Sequence, residues 1–193
     1  MQICKADLFI LIAFPLIAFD QIMAIETPKY KLIKKERGFE VRDYGPMIVA
    51  STSVENNYSD AASIGFRRLA SYIFGGNTAG MKIDMTAPVI TNTPATVEIY
   101  EIQFIMPSRH SFKDLPKPSV GNVSIKNVNF GKTAVLKFGG WATKDRATYY
   151  KNKLSELLES NGYEPIGSFF VAQYNSPWAI PPFRKNEIIV EIN

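Results

Sequence analysis

Thiol and imidazole groups are scarce in this 193-residue chain, which has one cysteine, Cys4, and one histidine, His110. A single thiol cannot close an internal disulfide, and a cysteine-based zinc site needs several sulfurs. One imidazole cannot build a multi-histidine metal centre. A Ser-His-Asp triad would have to recruit His110 without the G-x-S-x-G elbow, which the sequence lacks. Nor is there a Walker loop or a G-x-G-x-x-G turn to cradle nucleotide phosphates. Catalysis would have to rest on an acid lying in a groove, with Glu101 and Glu187 as the candidates, and a non-enzymatic protein is the expectation. Acidic residues are in mild deficit, 18 against 22 Lys and Arg, for a formal net charge of +4. The basic residues are scattered (Lys34, Lys35, Arg37; Arg67, Arg68; Arg184, Lys185) and form no stripe of the kind that tracks a nucleic-acid backbone. Nucleic acid is therefore not an expected partner, and a small anionic ligand is.

Long apolar runs are absent except at residues 8–19, LFILIAFPLIAF, which follow Lys5 and end at Asp20. A membrane span needs about 20 apolar residues, and Pro15 interrupts this shorter run. The layout is that of a secretory signal peptide over residues 1–24, cleaved after Ala24. Cleavage would remove Cys4 and leave a thiol-free chain with no stable membrane span. It would be exported to an extracellular, periplasmic or endomembrane space. The remaining residues, 25–193, suffice for one domain with its own core, and 46% hydrophobic with 21% charged residues is a globular balance.

Periodicity along this domain gives strands at KYKLIKK, GFEVRDY and MIVASTSV, then a helix opened by Ser59 or Asp60 and closed by Gly75-Gly76. MTAPVIT and VEIYEIQFIMP read as two more strands. After a Pro-bearing loop over residues 107–121 the order recurs: VSIKNVNF, TAVLKFGG, a helix from Thr143 to Asn161-Gly162, GSFFVAQYNSPW and NEIIVEI. One offset relates the two parts, since Gly45 falls on Gly131, Met85 on residue 171 and Ser59 on residue 145. Two ββαββ units, about 29–106 and 122–193, are the expectation. Together they would form an α+β fold, a distorted antiparallel β-barrel with two helices packed on the sheet and a groove between helix and sheet. Pro88 of MTAPVIT and Pro177 of YNSPW take matching places, where a residue without an N–H marks a strand edge or a bulge.

Several of these segments, in this order, resemble the SOUL haem-binding proteins. IETPKYKLIKKERGFEVRDYGP, GFRRLASYIFGGN, MKIDMTAPVIT, FIMPSR, AVLKFGG, AQYNSPW and FRKNEIIVEI carry the resemblance over residues 25–193. It implies the two-unit barrel and the binding of haem or a related tetrapyrrole. The ring would lie in a shallow apolar groove beside the first helix, as cargo of a carrier, buffer or scavenger. By motif position Phe66, Leu69, Ala70, Ile73 and Trp178 would line the groove, with Arg67, Arg68 and Lys82 facing the propionates. Ser63 and Ser71 stand where some relatives have basic residues. EVRDYGP puts Asp43 where one branch of the family has a proposed histidine ligand, so haem would bind without histidine ligation, by burial and charge or through Tyr72 or a Met sulfur. His110, in a loop, reads as a solvated side chain.

Two other functions are open to such a chain. One is a pocket for another amphipathic small molecule, as in effector-binding domains of related fold. The other is protein interaction without haem: LSELLESNGY has the spacing of a death-related motif, although Tyr163 stands where that motif requires an acid.

Overall fold

The apolar alternation produces the strands where it is strongest. The computed structural model describes residues 25–94, 97–176 and 179–193. Among these the order is β1 (Tyr30–Lys35), β2 (Glu40–Tyr44), β3 (Met47–Glu55), α1 (Tyr58–Ile73), β4 (Val89–Asn92) and β5 (Ile99–Ile105). There follow β6 (Ser124–Val128), β7 (Gly131–Phe138), α2 (Lys144–Ser160), β8 (Pro165–Gln173) and β9 (Asn186–Ile192). The signal-peptide segment with Cys4, and Pro177 and Trp178, lie outside the described residues.

All nine strands join one antiparallel sheet in the order β1-β2-β7-β9-β8-β4-β5-β3-β6. The molecule is α+β, with two helices on a curled half-barrel. Its edge strands are β1 and β6, and the expected distorted barrel takes the form of this curled half-barrel. β2 pairs with β7, and β6 pairs with β3. Each crossing pair ties an early strand to a late one, so neither part of the chain can complete its sheet alone.

Alternate residues of each strand face opposite ways, which gives the sheet a helix-covered face and an opposite face. On the helix face, Leu69, Tyr72 and Ile73 of α1 pack with Ala50, Ile102 and Phe104, while Leu154 and Leu158 of α2 pack with Val41, Leu136 and Ile188. α1 seats closely because Gly65 has no side chain: a Cβ there would lie 2.6 Å from Cδ1 of Ile102. The opposite face is apolar at its centre, where Val49, Ile90, Ile105 and Ala172 adjoin Tyr44, Val135 and Ile189.

The helix ends follow local chemistry. Asn57 caps α1, its side-chain oxygen accepting from the Asp60 N–H at 3.1 Å, so the helix begins slightly before the expected Ser59 or Asp60. Thr143 caps α2 as its sequence position indicated. MTAPVIT is only partly a strand. Pro88 cannot donate to a ladder, so β4 begins at Val89, and the Ala87 N–H donates to the Glu26 carbonyl instead, at 2.9 Å.

Candidate functional site

The end of α1 is built by its sequence. Gly75 adopts φ 109°, which favours glycine, and a Cβ on Gly76 would collide with the Ser71 carbonyl at 2.6 Å. The chain therefore leaves the helix at this pair. Asn77, buried, then fastens the loop back: its amide donates to the carbonyls of Tyr72 (3.0 Å) and Met81 (2.7 Å) and its oxygen accepts from the Met81 N–H (2.9 Å). The Ile83 N–H donates to Ile73, and Lys82 bridges Phe74 in antiparallel register. Met81 and Lys82 are thus held beside the last turn of α1.

One flank of the helix carries Phe66, Ala70 and Phe74 at i, i+4 and i+8, which share a face. Phe66 is half-buried with its ring edge-on to Phe104 at 5.3 Å, Ala70 is half-buried, and Phe74 is 62% exposed. Met81 and Met85 pack partly buried against the same core. Arg67 and Lys82 are exposed cations with no ion pair among the described residues. An exposed phenyl, a half-buried phenyl and two cations fit the requirements of a flat, amphipathic, anionic ring: apolar surface for its face and positive charge at its rim.

The other expected lining residues are distributed differently. Leu69 and Ile73 are 0% and 1% exposed and belong to the core beneath the flank. Arg68 is half-buried and donates to the Ser53 carbonyl at 3.0 Å, so it clips α1 to β3. Tyr72 is fully buried; burial pushes its hydroxyl pKa up, and the hydroxyl donates to the Pro116 carbonyl at 3.0 Å. It has no face to offer an iron. Asp43 lies on β2, with β7, β9, β8 and β4 between it and β5 under α1, about 24 Å along the sheet at ordinary strand spacing. His110 is partly exposed and lines a cleft of about 340 Å³ with Thr27, Gly45 and Met47, where it accepts from Arg109 Nε at 3.4 Å. Leu154 and Leu158 of the LSELLESNGY segment are sealed in the core. Among the described residues no group of three or more His, Cys, Asp and Glu is gathered as a metal site, and no helix is long and apolar enough to cross a membrane. Phe74 and Met81 were missed from sequence, although the 66, 70, 74 spacing was there to read.

The two acids considered for a groove both lie on the opposite face, in unlike settings. Glu187 is buried and receives Arg42 on both oxygens, Nη2 to Oε1 at 2.9 Å and Nη1 to Oε2 at 3.2 Å, with the Tyr174 hydroxyl donating to Oε2 at 2.6 Å. Arg42, 1% exposed, also donates to Glu40 and to the Tyr44 hydroxyl. Burial alone would lower its pKa, but the hydrogen bonds and charge of Glu187, with Tyr44, outweigh it and raise the value. Burial pushes the Tyr44 hydroxyl up to about 12, and burial with the Glu187 charge pushes Tyr174 up as well. Glu101 is more open: it accepts from Ser51 and pairs with Lys126 at 2.8 Å, and both side chains reach solvent. For Glu40 and Glu101 burial acts to raise the pKa, yet their partners (Lys137 and Arg42; Lys126 and Ser51) together hold both carboxyls below the usual range.

A helix-covered half-barrel of this kind recurs in solved structures. The chain superposes on the EcmrR C-terminal domain with a TM-score of 0.62 at 14% identity, covering 85% of this chain and 98% of that one. A hydrolase from Listeria innocua matches with a TM-score of 0.58 at 10% identity, over 83% and 94%. Such low identities show a shared fold and nothing of activity. Sequence narrows the class: this chain belongs to the SOUL family, whose model, described as SOUL heme-binding protein, matches residues 25–191. Heme-binding protein 2 of Homo sapiens is 32% identical over 178 residues, 86% of this chain and 85% of the relative. Heme-binding protein 2 of Mus musculus is 31% identical over the same shares.

Proposed function

We propose that this protein binds haem or a related tetrapyrrole without catalysis, on the α1 flank formed by Phe66, Ala70 and Phe74, as a carrier, buffer or scavenger. The observation that carries the reading is the exposed Phe74 continuing a half-buried stripe, in a chain of a haem-binding family. Haem brings the planar apolar surface and the two propionates. The chain contributes Phe66 and Phe74 against the ring, Met81 and Met85 behind them, and Arg67 and Lys82 as cations for the rim. Covering the mostly exposed Phe74 ring is worth about 1.5–3 kcal/mol, and the half-buried Phe66 ring adds less. No histidine takes part, and binding by burial and charge is reversible.

The reading extends to the rest of the chain. The recurrence of two strands, a helix and two strands (β2, β3, α1, β4, β5, then β6, β7, α2, β8, β9) supports two duplicated ββαββ units with β1 as an extra edge strand, and residues 1–24 act as an export leader. Hemin titrated into the purified protein tests the ligand: a saturable one-to-one Soret shift is expected, weakened by Phe66→Glu or Phe74→Glu and unchanged in His110→Ala. An unshifted band with the fold intact would refute the reading.

A further inference from the structure

A cleft of about 630 Å³ opens on the face of the sheet opposite the helices, between the segment leading into β1 and the β8–β9 connection. That volume is in the range of small-molecule sites. Of its five charged lining residues, Arg42, Lys137, Arg184, Lys185 and Glu187, only Glu187 is acidic. Its charge is already answered, because Arg42 and Tyr174 occupy both carboxylate oxygens. The guanidinium is equally committed. Its Nε donates to Glu40, Nη1 to Tyr44 and Glu187, and Nη2 to Glu40 and Glu187, which uses all five of its N–H groups.

The buried network is therefore largely satisfied from within: every Arg42 N–H has an acceptor and both Glu187 oxygens have donors. What remains for a ligand is the rim and the aromatic surface. Lys137 and Lys185 are exposed there, and Lys137 shares its one ion-pair partner, Glu40, with Arg42. Tyr30 is 45% exposed and has its ring centroid 4.1 Å from the Arg42 guanidinium carbon. Such a ring, backed by a fixed cation, presents apolar surface to the cleft at little cost in side-chain freedom.

We propose that this cleft is a second ligand site, separate from the α1 flank, which takes a small aromatic carboxylate: its ring on Tyr30 and its carboxylate between Lys137 and Lys185. The selectivity is electrostatic. A cationic amphiphile meets two rim lysines and finds both Glu187 oxygens already bonded, whereas an anion meets Lys185, which has no ion pair among the described residues, and Lys137, whose partner Glu40 is also held by Arg42.

The full chain titrated with 2-naphthoate, 2-naphthylmethylammonium and 2-naphthalenemethanol, followed by calorimetry and amide chemical shifts, tests this. Naphthoate is expected to bind at least about tenfold more tightly than the ammonium compound and to shift the amides of Tyr30, Lys137 and Lys185. The surface variant Lys137→Glu/Lys185→Glu should weaken naphthoate at least about tenfold and leave the hemin titration as it was. Equal binding of the three probes, an unchanged naphthoate affinity in the double variant, or one-for-one displacement of naphthoate by hemin would each overturn the proposal. A protein that ignores hemin but selects naphthoate would refute the haem reading and keep this one.

Discussion

The two faces of the sheet handle charge and apolar surface in opposite ways. On the helix face the core is sealed and the apolar stripe of α1 runs past it into solvent at Phe74, with cations that have no partners among the described residues. On the opposite face two charges, Arg42 and Glu187, are themselves buried and bonded to each other, while lysines stay exposed at the rim. The difference shows where binding surface is left over: apolar area at α1, and positive rim with one aromatic ring at the cleft. Within the opposite face there is a gradient as well, since Glu187 is locked by Arg42 while Glu101 shares a solvent-reaching pair with Lys126.

Substitutions can sharpen this contrast. Arg42→Ala strands the buried carboxylate of Glu187 and leaves Glu40 to Lys137 alone, and should lower stability to urea by about 3–5 kcal/mol, the largest effect expected. A loss below about 1 kcal/mol would mean that the network is not closed. On the helix face, Gly65→Ala pushes a methyl into Ile102 and should cost about 2 kcal/mol by thermal or urea unfolding, because α1 has no room to rise. Tyr174→Phe removes one donor from Glu187 while Arg42 remains, for about 1.5 kcal/mol. Lys126→Ala, at the open pair, should cost under about 1 kcal/mol.

Acid provides a separate handle. Because Glu40 and Glu101 have folded pKa values below their ordinary 4.5, their contribution is complete above that value and is lost as pH falls through the lower folded values. Stability measured by urea midpoint should hold level down to about pH 5 and decline below 4.5, with a smaller decline in Lys126→Ala.

Much of the fold was legible because its signals are local. Thr143 as a cap, Gly75-Gly76 as a helix end and the alternation in β3, β5, β7 and β9 each act within a few residues. Pro88 was legible as an interruption, though not as the point after which β4 begins. The site was less so. Leu69 and Phe66 differ by three positions and look alike as letters, yet one is core and the other flank, and only the packing of α1 on β5 decides between them. Glu187 could be named as a groove acid, but its partner Arg42 is 145 positions away in sequence and is brought near by β2 crossing to β7.

Hemin binding compared across the two faces is the most direct measurement. Soret titrations on the unaltered chain, on Phe66→Glu/Phe74→Glu and on Lys137→Glu/Lys185→Glu separate the sites. Binding at α1 predicts that the phenylalanine pair loses affinity by at least about tenfold while the lysine pair keeps it. An unchanged titration in the phenylalanine pair, with the lysine pair losing the band, would contradict haem binding at α1 and move it to the cleft.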